Sequence, residues 1–76
     1  MIRIDAAIAR AKEQGIKVRK LDLAAEMWPA ATPQARRANM TNLCSGRTTR
    51  VEPEWVEKIC RRCGCTADFL LGLSNE

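Results

Sequence analysis

The sequence predicts an all-α domain, a compact bundle of five short helices. Three observations predict it. Apolar residues recur at the i, i+3, i+4, i+7 spacing of a helix in successive segments. The four glycines and three prolines fall at the ends of those segments, where helices stop and start. No stretch makes a convincing strand, and there is no internal repeat or low-complexity segment.

Residues 3–14 form the first predicted helix. Ile4, Ala7, Ile8 and Ala11 make its core stripe, while Arg3, Asp5, Arg10, Lys12 and Glu13 lie outside it. Gly15 stops the helix, and Ile16 follows as a packing contact. Lys17-Val18-Arg19-Lys20 is a short basic connection into a second helix over about residues 19–28. Leu23, Ala24 and Met27 form its apolar side; Asp22 and Glu26 are expected to be solvated, and no strong N-cap precedes it. Pro29 ends it, because the residue before a proline avoids helical angles. Trp28, at that end, reads as a partly buried packing residue rather than a binding platform.

Pro29-Ala30-Ala31-Thr32 turns the chain into a third helix at about 33–45. Thr32 can cap its first free N–H groups, Pro33 suits the first helical position, and Gly46 can adopt the left-handed conformation that ends it. Arg47-Thr48-Thr49-Arg50-Val51 is an exposed loop. The fourth helix starts near Pro53, with Glu54 and Glu57 suited to its N-terminal dipole and Arg61 and Arg62 to its C-terminal end. Val56, Ile59, Cys60 and Cys63 are its core stripe, and Gly64 closes it. Cys65 then packs inward and Thr66 caps a short fifth helix over 67–71. Phe69, Leu70, Leu71 and Leu73 are a dense apolar group, part of it expected to close the core and any remainder a candidate self-association patch. Met1-Ile2 and Ser74-Asn75-Glu76 are expected to fray.

Seventy-six residues make one small domain, 1–76, with a core near the lower limit for independent stability. Lys and Arg total 13 against 9 Asp and Glu, a net charge of +4. Placement says more than the sum: from Met27 to Val51 there are four arginines and no acid, whereas Glu52, Glu54 and Glu57 cluster just beyond. Such a balance suits nucleic acid. No apolar run approaches a membrane span and no signal-peptide core opens the chain, so a cytoplasmic location is expected. Without a secretory signal the four cysteines are expected to be reduced thiols. Cys60, Cys63 and Cys65 make a C-x-x-C-x-C run to which Cys44 could add a fourth ligand, but zinc sites usually pair two separated C-x-x-C or C/H elements, so core thiols without metal or cofactor are the favoured reading. With no His and no Tyr, no catalytic constellation appears, and no Gly-rich loop cradles phosphate. The chain does not read as an enzyme.

The third helix carries the chemistry. Met40 and Leu43 point one way, into the core. Gln34, Ala38, Thr41, Asn42 and Ser45 point the other way, with Arg37 at the edge, a small uncharged polar face followed by Arg47 and Arg50. Amides and hydroxyls flanked by arginine suit hydrogen bonding to base edges beside phosphates, although any solvated helix face can have this composition.

Five residue groups resemble a known family. Leu23-Ala24-Ala25-Glu26-Met27 looks like L-A-x-x-[LM], and Met40-Thr41-Asn42-Leu43-x-x-Gly46-Arg47 is similar to I-S-x-[IL]-x-x-G-[KR]. Pro53 to Cys63 resembles x-P-x-x-x-[LV]-x-x-[IL]-[AC] with one residue fewer after the proline, Val56, Ile59 and Cys60 taking the last three named places; Gly64-Cys65-Thr66 resembles G-V-[ST]; and Ala67-Asp68-Phe69-Leu70-Leu71-Gly72-Leu73 looks like A-D-[YF]-L-L-G-L. Together these cover nearly the whole chain and resemble the phage-repressor and Cro-like (XRE-type) helix-turn-helix regulators. The resemblance implies a lambda-repressor-like DNA-binding domain in which helices two and three form the helix-turn-helix. Carried over by position, Arg37, Ala38, Thr41 and Asn42 would face bases, and Arg47 and Arg50 would meet phosphates. The sequence departs from the family where a Ser or Thr cap usually starts the second helix; that position falls near Arg19. The usual short glycine turn is replaced by Trp28-Pro29-Ala30-Ala31, which lengthens the approach to the third helix and brings Gln34 and Arg37 forward at the expense of Ala38. Arg36 points to the Met40 side and, beyond the core edge, is expected to reach a phosphate, as are Arg19 and Lys20.

The expected function is a sequence-specific double-stranded-DNA-binding regulator, a repressor of phage or mobile-element type that dimerises at least on DNA. The rival expectations are an antitoxin-type protein binding a toxin and its own operator, a helical protein-interaction module, and a small zinc domain.

Overall fold

Side-chain caps and glycine stops set most helix boundaries. The computed structural model describes residues 2–48 and 50–73. The helices are α1 (Ile4–Glu13), α2 (Lys20–Met27), α3 (Pro33–Cys44), α4 (Pro53–Cys63) and α5 (Ala67–Leu70), and among the described residues there is no strand. Thr32 Oγ1 accepts from Ala35 N at 3.1 Å to cap α3, and Thr66 Oγ1 accepts from Phe69 N at 3.2 Å to cap α5. Helices α3 and α4 both carry proline in the first turn. The α1, α2 and α5 bounds fall within one residue of the expected ones at each end.

Gly46 shows how the glycine stops operate. Its φ of +84° lies in the left-handed region, which lets Arg47 N reach back to Asn42 O at 3.0 Å while Gly46 N meets Leu43 O at 3.4 Å. The same closure, with a left-handed glycine, ends α1, α4 and α5. Helix α2 alone has no glycine stop. Lys58 of α4 instead donates from Nζ to Glu26 O at 2.7 Å, and Arg62 pairs with Glu26 Oε2 at 2.6 Å. A cation at a helix C-terminus satisfies free carbonyls and complements the dipole.

The core is one apolar cluster drawn from all five helices. Ile4, Leu23, Leu43, Ile59, Leu70 and Cys63 are its largest fully buried side chains. Fully burying a Leu or Ile stabilises by roughly 1.5–3 kcal/mol, so in so small a domain each is a large share of net stability. Helix α4 is central: it packs on α1, α2 and α5, while α2 also packs on α3. Phe69 is roofed by two guanidiniums, Arg3 at 4.9 Å and Arg10 at 4.8 Å from the ring centroid.

Several expectations are corrected. Ile2 does not fray: it is buried, and Arg3 N donates to Leu70 O at 2.7 Å, tying the start of the chain to α5. Met1, Ser74, Asn75 and Glu76 lie outside the described residues, as does Thr49. Ile8, Val56 and Cys60, at the flanks of their stripes, and Cys65, in the α4–α5 connection, only half-enter the core. Glu26 and Asp22 are half-buried and paired rather than simply solvated. Thr48 and Val51 are half-buried, so the loop after α3 is not exposed throughout.

Candidate nucleic-acid interface

The outward face of α3 follows from its anchor residues. Met40 and Leu43 are buried, which turns Gln34, Arg37, Ala38, Thr41 and Ser45 to solvent. Arg37 holds the central place. It lines a shallow hollow with Pro33 and Gln34 at the start of α3, and a second cleft shared with Lys20, Leu21 and Ala24 of α2. The face is thus continuous from the start of α3 across to the first turn of α2. This brings Gln34, Arg37 and Thr41 together, with Ala38 between them along the helix.

Asn42 departs from its expected exposure. It is half-buried, because the chain after Gly46 folds back over it. Its carbonyl accepts from Ser45 Oγ at 3.2 Å, Arg47 N at 3.0 Å and Thr48 N at 3.2 Å. Asn42 therefore fixes where the loop bearing Arg47 leaves the helix. Arg47 and Arg50 are exposed.

The other expected phosphate contacts divide. Arg19 is exposed and pairs with Asp22 at 3.2 Å, and α2 starts without a side-chain cap. Lys20 pairs with Asp5 of α1 at 2.7 Å, and that hydrogen bond raises its pKa above the usual lysine range. Arg36 is not free to reach a phosphate. Its Nε donates to Trp28 O at 2.9 Å and its Nη2 to Pro29 O at 2.8 Å. The reason is the length of the turn: two carbonyls left without helical partners lie within reach of a forked donor one turn into α3.

Side chains from α4 complete the support. Trp55 meets Trp28 edge-on, with centroids 5.3 Å apart and planes at 64°. With Lys58 and Arg62 on Glu26, α4 braces the far side of the same turn. Sequence reasoning passed over Trp55, Lys58 and the inward role of Arg36. The signal available was the turn itself, whose carbonyls lie beyond the helix ladder and need donors from elsewhere.

Electrostatics separate this face from the remainder. All five ion pairs among the described residues lie outside 27–51: Arg19–Asp22, Lys20–Asp5, Lys58–Glu54, Arg61–Glu57 and Arg62–Glu26. Arg37, Arg47 and Arg50 enter none of them.

The cysteines lie apart, at the α4–α5 junction and on α3. All four are free thiols, and only Cys63 is fully buried. Cys65 Sγ lies 3.9 Å from Cys60 Sγ, and burial, followed by the neighbouring Cys65, pushes Cys60 up to about 12. Burial also raises Cys63 and Cys44. Such thiols are poor nucleophiles near neutral pH. Among the described residues no three Cys, Asp or Glu side chains converge where a metal ion could sit, and no helix is long and apolar enough to cross a membrane. Comparison with protein-family models, with curated proteins and with solved structures returns no match to this chain.

Proposed function

We propose that this chain is a sequence-specific double-stranded-DNA-binding regulator of the helix-turn-helix kind, a repressor by class, in which α2 and α3 form the motif and α3 enters the major groove. The observation that carries the reading is the exposed Gln34–Arg37–Thr41 surface, set in a stretch whose arginines have no acidic partner. A helix face of forked and hydroxyl donors reads base edges, and unpaired cations beside it neutralise phosphates. The chain acts in this reading without metal or organic cofactor.

The same reading pairs two copies on DNA, since one small module touches few base pairs, with half-sites roughly 34 Å apart. The surface suited to pairing is the groove of about 490 Å³ lined by Ile2, Leu43, Val51 and Leu71, among others. Leu73 is 73% exposed just beyond Leu71. That apolar groove also favours the second reading, an antitoxin-type protein whose toxin partner covers it.

The test compares Arg37→Ala and Arg50→Ala on a duplex selected from a random pool and on its scrambled counterpart, over a salt series. Arg37→Ala should lose about 1–3 kcal/mol on the selected duplex and relax preference at one base position. Arg50→Ala should weaken both duplexes alike and lower the salt slope by about one. The reverse assignment of effects would displace α3 from the groove. Indifference of DNA binding to both would favour the protein-partner reading.

A further inference from the structure

Leu21 is an apolar side chain set on a basic face. It is 56% exposed, directly after Lys20 at the start of α2, and lies outside the core cluster. With Ala24 of α2 and Arg37, Met40 and Thr41 of α3 it lines a cleft of about 110 Å³. Ala24 and Met40 are buried and form an apolar floor. Lys20, Arg37 and Thr41 complete the lining, and no acidic side chain lines the cleft; the Lys20 ammonium is held by Asp5 at 2.7 Å, which leaves the Arg37 guanidinium as the cation there without an acidic partner among the described residues.

That pairing of apolar floor and cation selects its occupant. The floor and Leu21 favour a small apolar group; the Arg37 guanidinium favours one carried on an anionic molecule. The thymine 5-methyl is the apolar group that a duplex displays in its major groove, with phosphates on either side. We infer that Leu21 and the cleft beneath it read a thymine 5-methyl group, so that preference at one base position is set by α2 rather than by α3. This rests on the major-groove reading of α3. It also leaves the Arg37 fork, on the shared wall of the cleft, for the adjoining base pair.

The experiment uses the full chain and a duplex that it selects from a random pool. Each thymine of that duplex is replaced singly by deoxyuracil, which removes only the methyl group. Wild-type protein should bind roughly fourfold more weakly when the critical thymine is replaced, the transfer value of one buried carbon. Leu21→Ala should ignore that replacement while keeping the wild-type salt slope; its exposure makes the variant safe to fold. Wild-type binding that tolerates every uracil, or a Leu21→Ala protein still sensitive at the same position, overturns the inference and leaves the major-groove reading standing. Failure to retain any duplex from the pool in a salt-dependent way overturns the reading and the inference together.

Discussion

Arg36 shows what a single side chain does for this surface. Its guanidinium donates to two consecutive carbonyls of the α2–α3 turn, at 2.9 and 2.8 Å. A lysine keeps the charge but cannot fork to both acceptors. Charge-assisted hydrogen bonds of this kind are worth about 1.5–3 kcal/mol where shielded, and one of these two is exposed. Arg36→Lys and Arg36→Ala should therefore both destabilise by about 1–2 kcal/mol in denaturant unfolding. If Arg36 instead served as a phosphate contact, Arg36→Lys would keep stability and the salt slope while Arg36→Ala would lower the slope. The wheel of α3 placed Arg36 on the Met40 side correctly. Its partners were hidden because they belong to backbone atoms of a turn whose path no periodicity encodes.

At the scale of elements, short-range signals were the legible ones. Thr32, Gly46, Gly64 and Thr66 mark ends through hydrogen bonds that span a few residues, and Pro33 and Pro53 through a fixed φ and a missing donor, so the order of residues suffices to place them. The end of α2 was legible only as Pro29, and the donor to its Glu26 carbonyl comes from 32 residues further along. The exposure of Gln34, Arg37, Ala38 and Thr41 was legible from Met40 and Leu43 alone, whereas the covering of Asn42 needed the path of the loop after Gly46. Lys58→Met should remove the donor to Glu26 O at a part-buried position, costing about 1.5 kcal/mol. Hydrogen exchange should then quicken at the last turn of α2 ahead of the remaining helices. Uniform quickening across all five helices would mean that Lys58 contributes only to global stability.

For the molecule as a whole, alkaline pH is the informative variable. An unfolded chain releases its thiol protons near the ordinary value of about 9, while the folded chain holds Cys60 to about 12. Between those values the folded state binds more protons, so stability falls as pH rises from about 9 towards 12. Lys20 acts in the same direction, since its raised pKa stabilises below the ordinary lysine value and that contribution is lost above it. Thermal melts over this interval should show a shallower decline for Cys60→Ala than for wild type. Equal slopes would mean that the Cys60 thiol ionises as freely folded as unfolded. Around pH 7 neither group changes charge, so neither makes stability depend on pH there.

The missing glycine stop of α2 carries a kinetic consequence. Four helices hold their termination signals within their own neighbourhood, so those ends can form as soon as their residues exist. The last turn of α2 must wait for Arg36 and then for Lys58 and Arg62. Closing a loop of that length comes late on a folding route. Mutations at this brace should therefore speed unfolding far more than they slow folding. On a ribosome, the α2–α3 pair would stay unfinished until α4 had emerged, and a nascent chain stalled before Pro53 would have α3 but nothing to brace the turn that leads into it.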